Sequence, residues 1–169
     1  MGMSDPWPLI HAERRALVDD LSSLSPEECA RPSLCAEWSV RDVLAHLTAT
    51  AKMTPGKFFS GLIGSGFRFN ALGSKVLTHE LGASGAETLD NFRAILDATT
   101  HPPGPTMAML GEIVVHSGDV RRPLGISRAP SPEAMPPRGD RAACRPLPAA
   151  LGRARTQEPG GHPPLALFD

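Results

Sequence analysis

A chain of 169 residues, 41% apolar and 21% charged, is long enough for one domain with a hydrophobic core and has an ordinary globular balance. A formal net charge of -1 argues against a nucleic-acid or anionic-membrane partner, and an aromatic share of 5% with no Tyr argues against a base-stacking surface. No apolar run reaches membrane-spanning length, residues 1–8 lack the basic-then-apolar order of a secretion signal, and Cys29, Cys35 and Cys144 form no CxxC pair, so a reducing, cytoplasmic setting is expected.

The first helix is predicted from about Leu9 to Leu24. Leu9, Ile10, Leu17, Leu21 and Leu24 form its apolar stripe, with Glu13, Arg14, Arg15, Asp19 and Asp20 off that face. Ser25-Pro26-Glu27-Glu28 reads as the start of a short helical turn, with Pro at the first helical position. Cys29 and Cys35 read as small apolar side chains.

The clearest start signal is Ser39-Val40-Arg41-Asp42, a capping box followed by Val43, Leu44 and Leu47 at helical spacing. This second helix carries His46. Pro55 either kinks it or starts a continuation through Phe58, Phe59, Leu62 and Ile63. Glycines at 64, 66, 73 and 82 interrupt the next region, where Leu72, Val76, Leu77 and Leu81 hint at a helix. Ser84-Gly85-Ala86-Glu87 is a second capping box and opens a third main helix with the stripe Leu89, Phe92, Ile95 and Leu96. The last helix is predicted from about Thr106 to Arg121, ended by Pro123 and Gly125. With no alternating strand pair in view, the pattern predicts an all-α, up-down four-helix bundle. Residues 129–169 hold nine of the 18 prolines and neither Val nor Ile, so a bundle domain over 1–128 and a disordered, Pro-rich tail from Ala129 to Asp169 are expected.

The last helix also carries the candidate chemistry. At 100° per residue, Glu112, His116 and Asp119 share a sector roughly 60° wide, on a helix otherwise rich in Met107, Leu110, Ile113, Val114 and Val115. A helix this apolar is expected to be buried, and buried polar groups need partners. A divalent metal would satisfy Glu112 and His116 together, because side chains four apart project side by side. His46, between Val43 and Leu47, sits at the edge of its own apolar stripe and supplies a third donor. Two imidazoles and one carboxylate leave a coordination position open and suit zinc, without excluding nickel, iron or manganese. The competing reading is a surface pair and a hydrogen-bonded core histidine. Asp119 is either a partner of a ligating His or a cap paired with Arg121 or Arg122. His11, His79 and His101 read as surface residues.

Two segments, Ser33-Leu34-Cys35-Ala36-Glu37-Trp38-Ser39-Val40-Arg41-Asp42-Val43-Leu44-Ala45-His46-Leu47 and Glu112-Ile113-Val114-Val115-His116-Ser117-Gly118-Asp119-Val120-Arg121-Arg122-Pro123-Leu124-Gly125, resemble the metal-binding N-terminal domain of the mycothiol-dependent maleylpyruvate isomerase family, within the DinB-like four-helix bundles. The resemblance covers roughly Leu9 to Ile126. It implies zinc held by His46, Glu112 and His116, with mycothiol as a low-molecular-weight thiol that meets the metal and attacks a small electrophile. Members commonly continue beyond the Arg-Arg-Pro-Leu-Gly segment into a second domain, where this chain has its Pro-rich stretch. The expected activity is a thiol-dependent isomerisation or S-transfer. The alternative is a non-catalytic metal- or ligand-binding module, and homodimer formation is left open.

Overall fold

A computed structural model of the protein describes residues 5–35 and 37–135, the side chains at positions 69–72, 74 and 75 excepted. The described residues form α-helices and no β-strand: α1 (Trp7–Leu21), α2 (Pro26–Cys29), α3 (Val40–Ala51), α4 (Pro55–Gly64), α5 (Phe69–Leu81), α6 (Gly85–Arg93), α7 (Thr106–Arg121) and a 3-10 turn at Pro132–Ala134. Among them no helix is long and apolar enough to cross a membrane.

Local chemistry sets the boundaries. Ser39 Oγ accepts from the Asp42 N–H while an Asp42 carboxylate oxygen accepts from the Ser39 N–H at 2.8 Å, so the anticipated capping box starts α3. Pro55 opens a separate helix with Thr54 as its cap, which decides against a kinked α3. At α6 only half of the anticipated box forms. Ser84 caps the Glu87 N–H, but Glu87 reaches past Ser84 to the Ala83 N–H at 2.6 Å. Gly82 makes room for this with a φ of 62°, and a Cβ there would lie 2.6 Å from the Glu87 side chain.

Packing builds one core. α3 lies against α5, α6 and α7, and α1 lies against α6 and α7. Ile10 and Leu17 of α1, Val40 and Val43 of α3, Phe92 of α6 and Ile113 and Val120 of α7 are buried within it. The charges of α1 differ from expectation. Glu13 and Arg14 are buried, because α1 is flanked on two sides and each charge finds a partner there. Arg14 donates to the Ile95 and Ala98 carbonyls at 2.8 and 2.7 Å. Asp20 pairs with Arg121 at 2.7 Å and with Arg128 at 2.8 Å.

The chain does not leave the bundle at 128. The Ser131 N–H donates to Glu13 at 2.9 Å, and Ala134 is 2% exposed. The rest of the expected tail, 136–169, lies outside the described residues.

Candidate metal centre

α3 and α7 pack side by side, and this brings His46 to Glu112 and His116. All three side chains are buried to within 9% exposure. His46 Nε2 lies 3.3 Å from Glu112 Oε2, and His116 Nε2 lies 3.1 Å from the same oxygen. The two imidazole rings meet edge to face, with centroids 5.1 Å apart. One donor atom from each residue falls within a 4.8 Å cluster. The i, i+4 spacing on α7 and the position of His46 on its stripe therefore produce the juxtaposition the sequence suggests.

Electrostatics tie the three together. Burial would raise the Glu112 carboxyl, but the hydrogen bonds from His116 and His46 and their charge outweigh it and hold the group down at about 2. Burial would lower His116, but its bonds to Asp119 and Glu112 and their negative charge lift it to about 9.

Asp119 faces His116, with Arg122 adding its charge nearby. Its Oδ2 is 3.1 Å from His116 Nδ1, and Arg121 turns instead to Asp20. A carboxylate can only accept, so Nδ1 donates to Asp119 and Nε2, facing Glu112, is the nitrogen that a metal would take in exchange for its proton. Asp119 itself, which burial would raise, is held below the usual carboxylate range by hydrogen bonds from His116 and Cys35.

Two contacts escaped sequence reasoning. Cys35 is not a simple apolar filler: its Sγ lies 3.1 Å from Asp119 Oδ2 and 3.4 Å from His116 Nδ1. Burial, reinforced by Asp119, pushes its thiol up to about 12. Trp38, 6% exposed, packs its ring on His46 with centroids 5.0 Å apart. The remaining histidines stay out of the cluster. His79 is exposed, as expected, whereas His11 and His101 are half-buried, with ring centroids 5.8 and 5.9 Å from that of Trp7.

The donor set fits a borderline divalent ion. It offers two imidazole nitrogens and one carboxylate oxygen, with the second nitrogen of His116 occupied by Asp119. A cleft of about 800 Å³ between α3, α4 and α5 is lined by Ala49 and Met53, one and two turns beyond His46, and by Lys52, Lys57 and the buried Glu80.

Neither a curated protein nor a solved structure is significantly similar to the chain. The sequence model of the mycothiol maleylpyruvate isomerase N-terminal domain matches residues 10–121, a span that includes His46, Glu112, His116, Cys35 and Asp119. That span is well over half of the chain, which belongs to the mycothiol maleylpyruvate isomerase N-terminal domain family.

Proposed function

We propose that the protein holds one divalent metal, zinc in the first instance, with His46, Glu112 and His116, and uses it in a thiol-dependent reaction on a small electrophile. The observation that carries this reading is the convergence of two imidazole nitrogens on a single buried carboxylate oxygen, at 3.3 and 3.1 Å. Family membership supports mycothiol, or a similar low-molecular-weight thiol, as the co-substrate. The packing of α1, α3, α6 and α7 against one another supports reading them as the four helices of an up-down, DinB-like bundle.

When bound, zinc supplies Lewis acidity and lowers the pKa of a thiol that meets it. The chain's own residues set the stage for that chemistry. Glu112 contributes the negative charge of the donor set, and Asp119 holds a proton of His116 on Nδ1, so that Nε2 is the nitrogen that would give up its proton to a metal. Trp38 and the core around it exclude water from His46. The cleft between α3, α4 and α5 offers room for a small molecule, with Lys57 on its wall and Lys52 paired to Glu80 at 2.7 Å.

Elemental analysis of the purified protein tests the first half, with one metal per chain expected. Thermal shift tests the second half: a small thiol should raise the melting temperature only when metal is present. Stabilisation by metal with no response to any thiol would favour the non-catalytic module, and absence of metal uptake would end the thiol-dependent reading and leave only a module that binds a ligand without metal.

A further inference from the structure

We propose that Cys35 is a positioning residue for this centre: its thiol pins Asp119 against His116 Nδ1 and so fixes the direction of His116 Nε2. The inference rests on the metal reading above. Cys35 sits in the loop between α2 and α3 and meets α7 across 84 positions of sequence. Asp119 Oδ2 accepts from two donors, His116 Nδ1 at 3.1 Å and the Cys35 thiol at 3.1 Å, and the two donors are themselves 3.4 Å apart. A carboxylate held by one donor can still turn about its side-chain bonds, whereas a second donor on the same oxygen removes that freedom.

The loop is built to hold the thiol in place. The Leu34 N–H donates to the Asp119 carbonyl at 3.0 Å, so backbone and side chain of Asp119 are both gripped from one loop. The Cys35 N–H donates to Ser33 Oγ at 3.1 Å, and Ser33 Oγ donates to the Trp38 carbonyl at 2.8 Å. The same loop carries Trp38 onto His46. A thiol next to a carboxylate acts as an S–H donor.

A double-mutant cycle on the full chain, reading Co2+ affinity by competition with a chelator, tests the role. Cys35→Ala should weaken binding about 5- to 10-fold, less than the roughly 10- to 100-fold of a group bonded directly to a ligand, because it acts one bond further out. Cys35→Ser keeps a donor and should stay within about 2-fold of the unmutated chain. In an Asp119→Ala background, Cys35→Ala should change nothing further, since its effect passes through Asp119. An equal loss in both backgrounds, or no loss in either, would overturn the proposal. So would a thiolate-to-cobalt charge-transfer band abolished by Cys35→Ser, which would make Cys35 a ligand. If the unmutated chain takes up no Co2+, the metal reading falls and the inference with it. Uptake that is indifferent to Cys35 removes the inference alone.

Discussion

His46 and His116, on different helices, both aim Nε2 at the same oxygen of Glu112, so neither histidine is bound to that carboxylate independently of the other. Removing any one of the three leaves two donors and an open side. His46→Ala, Glu112→Ala and His116→Ala should each reduce bound metal to below about a tenth of one equivalent, as expected when one of three protein ligands is lost. His79→Ala and His101→Ala, outside the cluster, should keep full occupancy. Elemental analysis of the five variants decides it, and full occupancy in the His46 and His116 variants would dismiss the site.

The Trp38 ring on His46 gives the centre an optical reporter. The chain has two tryptophans, and Trp7 packs instead on His11 and His101. Co2+ should therefore quench the Trp38 share of the emission. The response should survive Trp7→Phe and vanish in Trp38→Phe. A titration in which Trp7→Phe abolishes the quenching would place the metal elsewhere.

Proton linkage gives the metal-free protein a distinctive profile. Glu112 falls from 4.5 to about 2 in the fold, so its contribution is present above pH 4.5 and is lost as pH drops through about 2. His116 rises from 6.5 to about 9, so its contribution is complete below pH 6.5 and is lost as pH climbs through about 9. The melting temperature of metal-free protein should thus decline between pH 6.5 and 9, and His116→Gln should flatten that decline. Metal competes with the same proton, so affinity should rise over this interval. A melting temperature independent of pH from 6.5 to 9, in the unmutated metal-free chain, would contradict the linkage.

How far the sequence anticipates this structure depends on whether a signal is local. Ser39 and Asp42 lie three residues apart, and their capping box appears as expected. Glu112 and His116 share a face by helical period alone, and His46 could be placed on its stripe the same way. Cys35 and Asp119 are 84 positions apart, and no periodicity links a loop thiol to a helix carboxylate. Glu13 and Arg14 mislead for a related reason. A polar residue off the apolar stripe looks solvent-facing, yet the turn after α6 and the segment after α7 lie against α1 and supply partners for both. The half-formed box at Ser84 shows that even a local motif can be redirected, since the backbone turn at Gly82 presents the Ala83 N–H to Glu87.

The segment after α7 carries the last prediction. A chain ended at 128 and a chain ended at 135 differ by seven residues with no part in the metal cluster. Those residues nevertheless place Ala134 in the core and give Glu13 a hydrogen bond from the Ser131 N–H. Without them Glu13, 5% exposed in the fold, retains among the described residues Arg121 at 4.0 Å, a distance too long for a hydrogen bond. Losing a buried carboxylate's donor costs about 1–3 kcal/mol, less whatever water recovers once the site is uncovered. The 1–128 chain should therefore melt roughly 5 °C below the 1–135 chain, using the usual conversion for a domain of this size. Glu13→Gln should narrow the gap, because a neutral amide tolerates the missing donor better than a carboxylate does. Metal content should be equal in the two chains, as His46, Glu112 and His116 are untouched. Identical melting curves would show that the contact between Ser131 and Glu13 contributes nothing to the fold.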